Sequence, residues 1–264
     1  AAFEIVPIAI EPRVTLSPAA FTYDGTAKVP KVEVWDGESV LVEGTDYDIA
    51  LPDGRKNVGT YTVTIALKGI YAGSANATFE ITAKETTPTV VLSPAKYTYN
   101  GAVKTPKVTV KDGADVLVAG EDCDITLPGG RKDAGTYKVK AVLKGNYSGS
   151  GSANITIAKA ANTLVAKGKT VKVSASKLKS KSVKLTRKKT MKISKAKGTL
   201  SYKLGGVSKK KFKKYFKVNA KNGAITVKKN LKKGTYKVKV KVKAAGTKNY
   251  KAKTKTVTVT VRVK

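Results

Sequence analysis

From Leu16 to Gly145 the chain repeats itself at a fixed offset of 76 residues, and no other feature constrains the fold as much. Leu16-Ser17-Pro18 returns as Leu92-Ser93-Pro94, Tyr23 as Tyr99, Gly25 as Gly101 and Pro30 as Pro106. The register holds without a gap through Arg55-Lys56 and Arg131-Lys132, Gly59-Thr60-Tyr61 and Gly135-Thr136-Tyr137, and Gly69 and Gly145. Self-similarity at a constant period marks one folding unit used in tandem. Phe3-Glu4-Ile5 matches Phe79-Glu80-Ile81 in the same register, so residues 1–11 read as the last strand of a further module. The boundaries that follow are 12–86 for the first repeat, 87–160 for the second, and 161–264 for a module of a different pattern.

Inside each repeat the local code is β. Lys31-Val32-Glu33-Val34-Trp35 and Thr60–Ile65 alternate polar and apolar residues with period two, as do Lys107–Val110 and Tyr137–Val142. Turn signals punctuate them: Asp24-Gly25, Asp36-Gly37, Pro52-Asp53-Gly54, Asn100-Gly101, Asp112-Gly113 and Pro128-Gly129-Gly130. About seven short strands per module without a 3.6-residue period predict an all-β fold, a tandem array of immunoglobulin-like β-sandwiches. A β-grasp fold is the alternative.

The second constraint is a step in charge. All 18 acidic residues precede residue 160, whereas Ala161–Lys264 holds 33 Lys and two Arg with no Asp or Glu. The formal +34 therefore belongs almost wholly to the last module. In it Lys237, Lys239, Lys241 and Lys243 alternate with Val238, Val240 and Val242, which as a strand places four ammonium groups on one face about 6.6 Å apart. Thr254–Val263 alternates likewise, with valine inward and mostly threonine outward. Lys209, Lys210, Lys211, Lys213 and Lys214 form a second cluster.

Two readings of this lysine stand side by side. One is a solvated face that keeps a β-rich protein soluble and blunts its strand edges. The other is a docking surface for a polyanion. Nucleic-acid readers rely on arginine forks and stacked aromatics. Here lysine dominates, and several of the aromatics Tyr202, Phe212, Tyr215, Phe216, Tyr236 and Tyr250 sit at core-like strand positions, so specific DNA or RNA recognition is not expected. Point-like ammonium groups suit a flexible phosphate or sulfate polymer.

The series L-S-P-x-x-[YF]-T-Y-[DN]-G, P-K-V-x-V, D-G, G-x-D-x-D-[IV], G-T-Y and G-x-Y-x-G resembles the tandem bacterial immunoglobulin-like repeats (Big-type) of secreted and surface proteins of Gram-positive bacteria. Phe216-Lys217-Val218-Asn219, Asn222–Val227 and Gly234–Val238 resemble strands of cadherin-like bacterial sandwich domains. The resemblance implies a non-enzymatic spacer segment located outside the cell, at the surface or in the wall, with the anionic wall polymer teichoic acid, or another polyanion, as partner of the basic module. It also implies an alternative: an adhesin whose modules bind a host glycan or matrix protein through Trp35, Tyr23, Tyr99 and neighbouring loops. Calcium-linked adhesion of the cadherin kind does not carry over, because that chemistry needs carboxylates and residues 161–264 have none.

Other chemistry is scarce. The chain has no histidine and one cysteine, Cys123, which excludes an internal disulfide, His-based acid–base catalysis and the usual zinc sites. No catalytic constellation, cofactor motif or metal site is expected, and no apolar run approaches the roughly 20 residues of a membrane span. Asp46 with Asp48, and Asp122 with Asp124, share a face in extended chain, as calcium ligands or, by the stronger reading, as turn caps. Trp35, replaced by Lys111 in the second repeat, is either an outward contact residue or part of the packing.

Overall fold

The computed structural model describes residues 6–264, so the match at Phe3-Glu4-Ile5 lies outside the described residues. Strands dominate throughout, and the repeats are β-sandwiches of immunoglobulin type rather than β-grasp units. Contacts divide the chain into two compact units. One runs through Ser93 and adds 106–128 and 138–154; the other holds 94–105, 129–137 and 155–264.

The first repeat shows how alternation builds a sandwich. Arg13–Ser17 pairs antiparallel with Lys31–Asp36, which is extended by Ser39–Val40. The facing sheet runs in the order Ala20–Thr22, Ser74–Thr82, Gly59–Leu67, Tyr47–Ala50, its first pair parallel and the others antiparallel. Period two sends every second side chain inward, where Val34, Leu41, Tyr47, Val63, Ile65, Phe79 and Ile81 close the core. Burying each such aliphatic side chain stabilises the fold by about 1.5–3 kcal/mol. Phe79 lies between Tyr61, stacked at 5.5 Å, and Phe21, edge-on at 5.7 Å.

The second repeat has the same strand order, with Thr89–Ser93, Lys107–Asp112 and Asp115–Leu117 in one sheet. Cys123, at the position of Tyr47, is fully buried opposite Leu143. Burial pushes its thiol pKa up, which makes it a core residue rather than a nucleophile.

The basic module is a sandwich of its own design. Thr170–Val173, Lys253–Val263, Gly234–Ala244 and Leu200–Val207 form its four-stranded sheet in that order. A second sheet is ordered Val183–Leu185, Ile225–Val227, Phe216–Val218, and a two-stranded ribbon joins Val165–Gly168 to Met191–Ser194. Two short helices, Ala175–Ser180 and Arg187–Thr190, and the 3-10 turn Lys210–Tyr215 interrupt the strands. Its core is valine-rich, with Val238, Val240, Val242, Val259 and Val261 fully buried.

One device recurs in all three modules. Tyr61, Tyr137 and Tyr236, each from a Gly-Thr-Tyr sequence at a strand start, donate their hydroxyls to the carbonyl four residues earlier: Asn57 at 2.8 Å, Asp133 at 3.0 Å and Lys232 at 2.8 Å. This is the tyrosine corner of immunoglobulin-like sandwiches, which ties a turn to the strand it feeds.

The module junctions repeat as well. Within the first unit, Lys84–Glu85 pairs parallel with Tyr147–Ser148, and Tyr147 packs edge-on against Tyr23 at 5.4 Å. Asn146 accepts from the Val58 N–H at 2.8 Å and donates to the Asn57 side chain at 3.1 Å. Within the second unit, Ala160 bridges to Tyr250, Tyr250 packs edge-on against Tyr99 at 5.4 Å, and Asn249 accepts from the Ala134 N–H at 2.8 Å. There Asp133 replaces Asn57. Its carboxylate accepts from Asn249 at 2.9 Å and pairs with Lys248 at 3.0 Å, contacts that hold its pKa below the usual carboxylate range and raise that of Lys248.

Candidate polyanion interface

Gly234–Ala244 is the strand that carries the lysine ladder. Lys237, Lys239, Lys241 and Lys243 are exposed on one face, and Val238, Val240 and Val242 between them are 0% exposed on the other. The alternation is possible because both neighbouring strands hold it in register. Toward Lys253–Val263, Lys237, Lys239, Lys241 and Lys243 stand opposite Thr260, Thr258, Thr256 and Thr254. Toward Leu200–Val207, Lys241 stands directly opposite Lys203 and Lys243 opposite Ser201. At the far edge Lys172 stands opposite Arg262. The outer face of the sheet is therefore lysine, threonine and serine, with one arginine.

Electrostatically this face works against the fold. Along the ladder the charges recur about every 6.8 Å, and directly opposite side chains in an antiparallel pair have Cβ atoms only about 5 Å apart. Both separations are shorter than the roughly 8 Å Debye length at physiological salt. Lys203 against Lys241, and Lys167 against Lys192 in the ribbon, are like-charge cross-strand pairs. Of the lysines after residue 160, Lys248 alone forms an ion pair among the described residues, and its partner Asp133 belongs to the second repeat. The repeats differ: Lys28–Asp24, Lys31–Glu33, Lys68–Asp48 and Lys144–Asp124 pair within one repeat, and Lys84–Asp112 pairs across the junction of the two.

The second lysine cluster is divided by the structure. Phe212 turns inward to meet Tyr236 edge-on at 5.1 Å, and Tyr215 packs beside it, so the 3-10 turn Lys210–Tyr215 is pinned and its lysines face solvent. Ser208 links this turn to the ladder: its N–H donates to the Lys237 carbonyl at 2.9 Å and its Oγ accepts from the Lys237 N–H at 3.3 Å. Lys209 thus lies beside the first rung, in a hollow shared with Lys233 and Tyr236. Lys214 lines a different hollow of about 440 Å³ with Lys228 and Lys229. Lys211 and Lys213 are exposed on the turn, and the Lys211 ammonium sits 5.5 Å from the Phe212 ring.

Sequence reasoning missed Lys203, because a single lysine in Leu200–Val207 carries no pattern. Only the pairing reveals that it completes an open groove of about 440 Å³ with Lys241, Lys243, Tyr202 and Thr254. Lys172 and Arg262 join the same sheet face for the same reason.

Trp35 is half-buried on the outer face of its sheet. The guanidinium of Arg13, its cross-strand neighbour, lies 4.9 Å from the ring, and the indole Nε1 is buried with no hydrogen-bond partner. Tyr23 and Tyr99 are occupied in the junctions. The acidic pairs are turn chemistry: Asp46 and Asp122 accept from the N–H groups of Val42 and Val118 at 2.8 Å, while Asp48 and Asp124 pair with Lys68 and Lys144. No cluster of three or more metal-ligating side chains occurs among the described residues. No helix among them is long and apolar enough to cross a membrane.

Fold and surface together define two tandem immunoglobulin-like β-sandwich modules followed by a basic sandwich. Family models described as MBG domain match residues 13–94 and 88–161, which are the two repeats, and support reading both as immunoglobulin-like modules. Among solved structures the chain is similar to the protocadherin GammaB4 extracellular domain (12% identity, TM-score 0.34), with 96% of this chain aligned to half of that one. It is also similar to Drosophila N-cadherin EC1-4, at 15% identity and TM-score 0.34, covering 98% of this chain and 73% of that one. Human mucin-like protocadherin EC1-2 aligns over 67% of this chain and 98% of its own, at 13% identity and TM-score 0.34. No curated protein matches the sequence.

Proposed function

We propose that the chain is a non-enzymatic extracellular segment in which two near-neutral modules, 12–86 and 87–160, act as spacers and the module 161–264 associates with an anionic polymer. The observation that carries this reading is the uncompensated lysine ladder on a rigid sheet. A face whose charges repel one another in the folded state is relieved by any polyanion laid along it. The ammonium spacing of about 6.8 Å suits a linear chain with one phosphate or sulfate per repeat. In the Gram-positive surface setting implied by the repeat resemblance, that polymer is wall teichoic acid.

Retention on purified cell walls tests the proposal. The full chain binds walls that carry teichoic acid and is released by salt, and the variant with Lys237, Lys239, Lys241 and Lys243 all changed to threonine binds less. Equal retention on walls stripped of teichoic acid would sink the anchoring role.

A further inference from the structure

The two module junctions use one device on two otherwise different receiving modules, and the first repeat displays the receiving half of it a third time. Lys68-Gly69-Ile70-Tyr71 aligns with Lys144-Gly145-Asn146-Tyr147, and both align by structure with Thr247-Lys248-Asn249-Tyr250. In each case the tyrosine pairs parallel with the chain entering the module: Ile8 with Tyr71, Lys84 with Tyr147, and Ala160 with Tyr250. The backbone bonds are the same. The N–H groups of Ile8, Lys84 and Ala160 donate to the carbonyls of Ile70, Asn146 and Asn249 at 2.8, 3.0 and 2.9 Å. Glycine marks where the entering chain crosses the first two sockets. A Cβ on Gly149 would come within 2.1 Å of the Thr86 carbonyl oxygen, and one on Gly73 within 3.0 Å of that of Ile10, both at positive φ.

What differs at the front is the cover. Asn146 and Asn249 are half-buried under the loop of the preceding module, and Tyr147 and Tyr250 each meet a tyrosine of that module. Their counterpart Ile70 is 57% exposed, beside Ile8 at 60%, and Val6, two residues before Ile8 on the entering chain, is 75% exposed. An apolar cluster at the position of an established interface marks a docking face.

We propose that Val6, Ile8, Ile70 and Tyr71 form a docking face for a further immunoglobulin-like module of the same kind, one that leads into Val6 and presents a tyrosine at the place of Tyr23. Tyr71 meets that tyrosine edge-on, as Tyr147 meets Tyr23. The contact differs in one respect that sets the partner's chemistry. Ile70 has no amide to accept the N–H that Val58 and Ala134 offer at the other junctions, and burying that N–H unpaired is costly. The matching module therefore carries a proline or an otherwise satisfied N–H there, with an apolar side chain in place of Asn57.

The test replaces residues 1–5 by a second copy of residues 12–81 joined directly to Val6, which preserves the 76-residue spacing. NMR relaxation and hydrogen exchange then report whether the added copy tumbles with the first repeat. Because this copy brings Asn57 and Val58, the expected result is partial docking in the extended chain. With Ile70→Asn docking becomes tight and the Val58 amide of the copy gains at least tenfold protection, and with Tyr71→Ala it is lost. Tyr147→Ala, read at the established junction, calibrates the loss. Independent tumbling of the added copy in the Ile70→Asn chain, or Tyr71 resonances unchanged by the extension, would overturn the proposal. Should Tyr71→Ala disturb the first repeat itself, Ile70→Asn decides the matter alone, since residue 70 is exposed in the chain as it stands.

Discussion

The repeats and the basic module solve the same packing problem and face water in opposite ways. Both bury alternate residues of antiparallel strands, and both anchor a turn with a tyrosine hydroxyl four residues on from its acceptor carbonyl. In the repeats, however, a lysine is commonly met by an aspartate, as Lys68 is by Asp48 and Lys144 by Asp124. In the basic module the same kind of strand face carries Lys237 to Lys243 without any carboxylate in the module. The inner face determines whether the strand folds; the outer face is free to be given over to a partner. Immunoglobulin-like architecture alone therefore says little about function, and the electrostatics of one outer face says more.

Several experiments sharpen or break this contrast. The largest effect is expected from long-chain polyphosphate: at about 100 times its dissociation constant it should stabilise the basic module by ~2.7 kcal/mol and leave the repeats unmoved. Region-resolved hydrogen exchange checks this, and equal protection of both regions would erase the distinction. Changing Lys237, Lys239, Lys241 and Lys243 to threonine should flatten the salt dependence of polyphosphate affinity, reducing the log–log slope by about three. A titration at several salt concentrations measures it. Tyr61→Phe, Tyr137→Phe and Tyr236→Phe should each cost about 1 kcal/mol in denaturant unfolding, because each module loses the hydroxyl bond to the carbonyl four residues earlier, which Tyr61 shares with the Gly54 carbonyl at 2.9 Å. A clearly larger loss at one site would show that the modules are not built alike. Lys203→Glu converts a like-charge cross-strand pair into an attractive one and should stabilise the basic module by about 0.5 kcal/mol at low salt, an effect that fades as salt rises.

Acidity separates the regions by sign. Asp24, Asp112 and Asp133 have depressed pKa values in the folded chain, caused first by hydrogen bonds from Lys28, Lys84 and Asn249. The stability they contribute is therefore complete above about pH 4, the ordinary aspartate value, and is lost as pH falls through the lower folded values. Exchange protection at the Ala134 amide should fall in acid together with that of the repeats. The interior of the basic module, with no side-chain carboxylate, should keep its protection over the same range.

Much of this was legible in the sequence, for identifiable reasons. A gapless 76-residue offset with period-two alternation pointed to tandem sandwiches with a β-grasp fold as the alternative, which the sheet order removes, and Lys237-Val238-Lys239-Val240 can be amphipathic only as a strand. Gly-Thr-Asp and Gly-Glu-Asp read correctly as turns that Asp46 and Asp122 cap. The helices Ala175–Ser180 and Arg187–Thr190 left no signal, being too short for a period and burying only Leu178 and Thr190. The split of the 209–214 cluster, the place of Lys203 and the half-burial of Trp35 depend on cross-strand neighbours, which no local pattern specifies. Tyr23, Tyr99, Tyr147 and Tyr250 were visible as repeat markers, yet their role as paired junction residues appears only once modules are set end to end.

The ladder also bears on the cost of capture. Lysines on a disordered tail can bind a polyanion, but ordering such a tail costs roughly 1–2 kcal/mol for every residue whose backbone becomes fixed. In Gly234–Ala244 the backbone is already fixed by hydrogen bonds to both neighbouring strands, and buried valines hold it there. A polymer laid on that strand immobilises only the ends of four side chains. On the proposed reading, a polyanion would be held through many weak contacts and released one rung at a time, without the module first having to fold around it.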